Sequence, residues 1–363
     1  HWSIVFLQRQ LEAIRLLLSM SPDDVAVVGE SGEPVADISL ENLVSSSLMK
    51  RSKLSESGSS GSSPKRKVLM PQSPAAGGSW IEGLETFNKV GQGSFGQVFR
   101  GKWQGKDVAV KVMTWKQGKK SKVDPIREAE ICRKLRHPNL VQAHTFSVRE
   151  IMEAGAPQHE IWIIQEWCNG GTLSRFAASN PYTKPEGEEL IGRILRDVGS
   201  ALNYLHDMDV VHGDLSSSNV MLTYPGTADS PLTATSASAD CSFVCKVCDF
   251  GLARVLEEGI TTLLTSQIGT ISHMPPELIK VDEKRLTKKA DIYSMGVLLY
   301  ELVLGDIPYR GLSLPQVVLR VARDAKLELP PASDKLTKIF RVCTEIDAVQ
   351  RPCVEEVLHM LCE

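Results

Sequence analysis

No run of about 18 apolar residues occurs in the 363-residue chain, so nothing in the sequence given can span a membrane as a helix. A strong net charge is absent as well. Lys and Arg number 41 against 44 Asp and Glu, and the resulting charge of -3 excludes bulk attraction to nucleic acid or anionic membrane, leaving any basic docking surface local. A disulfide framework is missing too. Eight Cys at irregular spacing in a chain this long read as reduced thiols, which points to an intracellular protein of the cytoplasm or nucleus. Cys245 and Cys248 have zinc-like spacing, but no second Cys-x-x-Cys or nearby His pair completes a site. They fall on opposite faces of a short predicted strand and read as packed thiols. What is present is a 42% hydrophobic share, adequate for sizeable cores in one large or two ordinary globular domains.

The chain opens on His1, and the expectation is that further residues precede it. Within 1–20, Leu7, Leu11, Ile14 and Leu18 recur at helical spacing and predict an amphipathic helix. Isolated helices this short need tertiary support, so it reads as the tail of an upstream domain, with a sensor as the expected partner. Residues 21–79 are rich in Ser, Gly and Pro and read as a disordered linker. Lys65-Arg66-Lys67 and Ser63-Pro64 match common localisation and phosphorylation patterns, but a solvated linker accounts for both.

From residue 80 the composition changes. Val90-Gly91-Gln92-Gly93-Ser94-Phe95-Gly96-Gln97-Val98 predicts two strands joined by a glycine-rich turn whose backbone N–H groups can approach phosphate without a Cβ in the way. A dinucleotide-binding turn shares this spacing but would open a helix, whereas Gly96 leads into a β-type run. The next strand, Asp107 to Val112, places Ala109 and Lys111 in an apolar alternation, and a Lys there needs an acidic partner. Glu128 on the following predicted helix is the candidate, with Glu130 as the fallback. Lys116, Lys119, Lys120 and Lys122 read as a solvated loop. The apolar strand Glu160 to Glu166 then runs into Trp167-Cys168-Asn169-Gly170-Gly171, and Leu190, Ile191, Ile194, Val198, Leu202 and Leu205 form a helical stripe.

That helix delivers Val210-Val211-His212-Gly213-Asp214-Leu215-Ser216-Ser217-Ser218-Asn219, and Asp249-Phe250-Gly251 follows. An Asp and an Asn five residues apart on a loop, with a second Asp before Gly, can supply one proton acceptor and two hard-oxygen ligands for Mg²⁺. Between Leu222 and Phe243 a run of small residues predicts a mobile surface loop.

These segments resemble, in order, the motifs of the protein kinases. Gly269-Thr270 to Met274-Pro275-Pro276-Glu277, Asp291 to Gly296 and Arg351-Pro352 extend the resemblance from about Phe87 to the end. The Gly101 to Lys111 and His273 to Glu277 stretches look most like the tyrosine-kinase-like group of serine/threonine kinases of plants and algae. The resemblance implies an α+β, bilobal fold, with a β-rich N-lobe over about 80–167 and a mainly helical C-lobe over about 168–363. It implies ATP and Mg²⁺ in the cleft and protein substrates. Val90, Gly91, Gly93, Ser94, Phe95, Gly96, Val98, Ala109, Gln165, Glu166, Cys168 and Met221 would line the nucleotide site. Lys111, paired with Glu128, would hold the α- and β-phosphates, Asp214 would take the hydroxyl hydrogen bond, and Asn219 and Asp249 would hold metal. Asp291 would tie down the catalytic loop, and Glu277 would pair with Arg351.

Two departures stand out. Gly213 replaces the usual Arg beside the catalytic Asp, which removes a receiver for activation-segment phosphate. Ser216 stands where serine/threonine kinases carry a Lys, and Ser218 is not the Arg of tyrosine kinases, so one positive charge near the transferred phosphate is missing. The expected function is a serine/threonine protein kinase of reduced turnover. The alternatives are a nucleotide-binding pseudokinase scaffold and a dual-specificity or tyrosine kinase.

Overall fold

Strand β3 (Lys106–Lys116) sorts its side chains by parity, and that parity organises the N-terminal half. Val108 and Val110 point into one apolar cluster with Leu84, Phe99, Trp162 and Ile164, while Met113 joins Ala129, Cys132, Ile161 and Ile163 in the main core. The computed structural model describes residues 81–93, 96–116, 125–153, 156–180, 182, 186–224, 243–249, 254–255, 263–264, 271–279, 285–322 and 327–363. The predicted helix over 1–20, the linker over 21–79, Ser94, Phe95, Phe250, Gly269 and Thr270 lie outside the described residues, as does most of the small-residue run after Tyr224.

β1 (Leu84–Gly93), β2 (Gly96–Trp103), β3, β5 (Ala156–Glu166) and β4 (Ala143–Glu153) form an antiparallel sheet in the order β1-β2-β3-β5-β4. Helix α1 (Pro125–Lys134) contributes Ala129 and Cys132 to the core face. Gly96 begins a strand paired with β1, so the dinucleotide-binding alternative is excluded.

After β5 come α2 (Leu173–Ser179), capped by Thr172, and α3 (Glu186–Asp207). Of the predicted stripe on α3, Ile191, Ile194, Val198, Leu202 and Leu205 are buried and Leu190 is half-buried, and Leu195 and Ala201 are buried with them. β6 (Val210–Val211) pairs with β9 (Arg254–Val255), β7 (Val220–Thr223) with β8 (Val244–Val247), and β10 (Leu263–Leu264) with β11 (Arg285–Leu286). α4 (Pro276–Ile279) precedes α5 (Lys288–Leu304), which is buried from Ala290 to Leu299 and again at Glu301, Leu302 and Val303. A helix apolar nearly all round belongs in the middle of a bundle. α7 (Asp334–Cys343) and α8 (Val354–Cys362) pack about it and α3. α6 (Leu314–Ala322) falls in a separate unit, where Ser313 N–H donates to Gln316 Oε1 at 2.8 Å. No described helix is long and apolar enough to cross a membrane.

Arg351 shows why the expected ion pair survives burial. It is 1% exposed, and its guanidinium meets Glu277 in two bonds of 2.7 and 2.8 Å while also donating to the carbonyls of Glu345, Ile346 and Lys289. All five of its N–H groups are therefore engaged, which is what a buried guanidinium requires.

Candidate active site

Strand register gathers one wall of the site. Val98 lies opposite Lys111 across β2 and β3, and Ala109 lies opposite Gln165 across β3 and β5, so Val98, Ala109, Lys111 and Gln165 share one face of the sheet. Gly91 pairs with Val98 and Gly93 with Gly96 at the turn, while Val90 is half-exposed. Lys111 is 6% exposed, and its Nζ lies 2.8 Å from Asp249 Oδ1, although 138 residues separate the two. Among the described residues, Asp249 is an acidic partner of Lys111. Glu128 sits on α1, and its side chain lies outside the described residues.

The catalytic-loop candidate is fixed from below by two carboxylates of α5. Asp291, fully buried, accepts from His212 N–H at 2.9 Å and Gly213 N–H at 2.8 Å, with His206 Nε2 at 2.8 Å. Burial pushes the Asp291 carboxyl upward, but its bonds to His206 and Gly213 and the attraction of the His206 and His212 imidazoles outweigh that and hold it below the usual carboxylate range. Glu301, 2% exposed, accepts from Ser217 N–H at 3.2 Å, and His273 Nε2 lies 3.1 Å from the same oxygen. Asp291 was expected from the sequence; Glu301 was not. A lone carboxylate inside the apolar run Gly296 to Leu304 was the signal available, because a charge buried there must find donors.

His212 holds the loop from within. Its Nδ1 accepts from Asp214 N–H at 3.2 Å, so its Nε2 carries the proton that goes to Cys248 O at 3.1 Å. Asn219 Nδ2 donates to Asp214 O at 2.8 Å and to Asp214 Oδ2 at 3.2 Å. Both bonds go through the nitrogen, which leaves Oδ1 as the amide atom with hard-oxygen character for a cation. Cys248 N–H donates to Asn219 O at 2.9 Å and sets the residue before Asp249 against the loop. Asp249 has φ of +66°, a left-handed conformation that costs a non-glycine residue about 1–2 kcal/mol. Gly213 has φ of +74°, so the residue that replaces the expected Arg is also the one that relaxes this backbone. Ser216 is buried, and Ser218 is exposed.

The strip after β5 forms the remaining side. Glu166 N–H donates to Gln142 O at 2.9 Å, while its carboxylate accepts from Gln142 N–H at 2.7 Å and Lys246 Nζ at 3.1 Å. Gln165 is half-buried, and Cys168 is 5% exposed. Met221 on β7 bridges Thr172. Burial pushes the Cys168 thiol up to about 11 against a hydrogen bond with Thr223, and burial likewise raises Cys248 well above an ordinary thiol. Cys245 is buried on β8, and no cluster of three His, Cys, Asp or Glu suited to a metal occurs among the described residues. The side-chain role of Glu166 had no sequence signal, since its partners lie 24 and 80 residues away.

The family model for protein tyrosine and serine/threonine kinases matches residues 84–361. The dual specificity protein kinase splA of Dictyostelium discoideum is 31% identical over 77% of this chain and 11% of its own length. The serine/threonine-protein kinase CTR1 of Arabidopsis thaliana is 31% identical over 78% of this chain and 31% of its own length. A probable serine/threonine-protein kinase of Dictyostelium discoideum is 29% identical over 77% of this chain and 28% of its own length. The chain thus spans under a third of each of these relatives. With a five-stranded antiparallel lobe, a helical lobe about α5, and motifs matched from β1 to α8, the chain belongs to the protein tyrosine and serine/threonine kinases.

Proposed function

We propose that this chain is an ATP- and Mg²⁺-dependent protein kinase that transfers the γ-phosphate to Ser and Thr hydroxyls of protein substrates. The observation that carries the reading is the convergence of Lys111, on β3, with Asp249, two residues after β8, at 2.8 Å, beside an Asp214–Asn219 pair already joined at 3.2 Å. Asp214 accepts the substrate hydroxyl hydrogen bond and orients that oxygen for attack. Asn219 Oδ1 and the Asp249 carboxylate are hard oxygen donors that fit Mg²⁺, which when bound neutralises charge on the phosphates. Lys111 orients the α- and β-phosphates. Glu166 C=O and Cys168 N–H read the adenine edge, with Gln165 behind it; Val90, Gly91, Gly93, Gly96, Val98, Ala109 and Met221 enclose the nucleotide. Ser94 and Phe95 complete the glycine-rich turn in this reading, and Glu128 supports Lys111. Ser and Thr acceptors are favoured by the names of two of the relatives above, and the dual-specificity relative makes Tyr the second acceptor to test.

The missing Lys at Ser216 implies slow transfer, because one transition-state contact of this kind is worth on the order of 3 kcal/mol. Incubation with γ-labelled ATP, Mg²⁺ and Ser, Thr or Tyr peptide arrays tests the whole reading. Transfer to Ser or Thr that is abolished in Asp214→Asn and accelerated about tenfold or more in Ser216→Lys is expected. Nucleotide binding without transfer in any variant would make the protein a scaffold instead.

A further inference from the structure

The strip that follows β5 continues past Cys168 as an extra antiparallel partner of β7. Thr172 bridges Met221, Leu222 N–H donates to Gly171 O at 2.9 Å, and Gly170 N–H donates to Leu222 O at 2.9 Å. One step outward the main chain is replaced by a side chain. Asn169 Oδ1 accepts from Tyr224 N–H at 2.8 Å, and Asn169 Nδ2 donates to Tyr224 O at 3.3 Å. A single carboxamide therefore takes both backbone groups of Tyr224. Only an amide carries an acceptor and a donor side by side, and Gln would set them one methylene too far out.

The strip is also pressed against β7 without an intervening side chain. A Cβ on Gly170 would lie 2.7 Å from both Leu222 Cβ and Tyr224 Cε2. The Tyr224 ring meets Phe243 edge-on at 5.8 Å, and Phe243 meets Phe176 at 5.1 Å, so the far end of the clamp rests on an aromatic group between β8 and α2. Cys168 immediately precedes Asn169, and Met221 lies three residues before Tyr224. The amide clamp thus fixes the spacing of two positions that flank the adenine in the kinase reading.

We propose that Asn169 is a positioning residue for the nucleotide, holding the strip after β5 at a fixed height over β7. This rests on the proposed ATP-dependent activity, and direct binding separates the two. A fluorescent ATP analogue with Mg²⁺ is titrated into the full chain and its Asn169→Ala and Asn169→Asp variants, alongside KM for ATP, kcat on a peptide and thermal midpoints. In Asn169→Ala, Kd and KM for ATP rise about fivefold or more while kcat at saturating ATP stays within about twofold, as the loss of two partly buried hydrogen bonds requires. Asn169→Asp keeps the acceptor for Tyr224 N–H but not the donor, and falls between. Wild type that binds nucleotide no better than Asn169→Ala overturns the inference and leaves the kinase reading intact. Equal loss of kcat and affinity in step with a fallen thermal midpoint also overturns it, as a merely structural effect. Absence of nucleotide binding by wild type removes the kinase reading and the inference together.

Discussion

The loop from His212 to Asn219 and the strip from Glu166 to Thr172 are both short irregular stretches, yet they are held in opposite ways. The loop takes its bonds from within the fold: three of its backbone N–H groups end on carboxylates of the buried helix α5. The strip pairs its own backbone with β7, and no buried carboxylate holds its described N–H groups; its side-chain ties are half-buried ones at the margins, Glu166 to Lys246 on β8 and Asn169 to Tyr224 after β7. Hydrogen bonds from backbone N–H to a buried carboxylate contribute about 1.5–3 kcal/mol each, whereas a partly exposed ion pair contributes about 0–1. The loop is therefore preorganised by the fold itself, as a group that must be aimed at one atom requires. Ties at the solvent boundary leave the strip as the part that single side chains can tune.

Asp291→Asn tests the loop side most severely. The amide presents N–H where His206, His212 or Gly213 now donates, so at least one buried donor loses its acceptor. A stability loss of about 3–5 kcal/mol in urea denaturation is expected, with phosphoryl transfer lost as well. Lys246→Ala on the strip side should shift stability by about 1 kcal/mol or less. Similar losses from both substitutions would erase the contrast. Acid sharpens it further. The folded carboxyl of Asp291 lies below its unfolded value, so its contribution is fully present above about pH 4 and is lost as pH falls through the lower folded value. Stability measured from pH 6 downward should fall less steeply in Asp291→Asn than in the wild type.

Much of this loop is legible in the sequence alone. Asp214, Asn219 and Asp249 declare themselves by order and spacing, and Asp291, Glu277 and Arg351 by position along a chain already aligned to the kinase pattern. Lys111 could be found by its isolation on an apolar strand, but its contact with Asp249 could not, because parity fixes a face and not what lies across the cleft. The strip was legible only as backbone. Asn169 and Glu166 act through residues 55 and 80 positions away, and such pairs leave no periodic trace. The sheet and the α3 stripe follow from periods of 2 and 3.6, which is why they read well.

Gly213 shows a residue whose absence from the usual pattern has two readings that make different predictions. As a lost phosphate receiver, it predicts that alanine at Thr261, Thr262 and Thr265 together leaves activity within about twofold of wild type, since the Arg that would couple such phosphates to the loop is missing. As a relaxed backbone position at φ +74°, it predicts that Gly213→Arg costs about 1–2 kcal/mol of stability. Alanine at the three threonines abolishing activity, with Asp restoring it, would defeat the first reading. An unchanged urea midpoint in Gly213→Arg would defeat the second.

The smallest expected effect separates the two stretches by chemistry rather than stability. Cys168 belongs to the strip and Cys248 adjoins the loop, and burial raises both thiols, Cys168 to about 11. At pH 8 a thiol with that value is about one part in a thousand thiolate, so alkylation there is slow even where reagent can reach it. Among the described cysteines, Cys353 and Cys362 are exposed at the C-terminal helix and should be labelled before Cys168 and Cys248 by iodoacetamide, as followed by peptide mass mapping. Cys248 is half-buried, with its N–H bonded to Asn219 O of the loop, whereas Cys168 is buried where the strip meets β7. Loosening the strip with Asn169→Ala should therefore speed labelling of Cys168 and leave Cys248 unchanged. Equal acceleration at both thiols would mean that the strip and the loop open as one unit, and the difference in how they are held would then have no dynamic consequence.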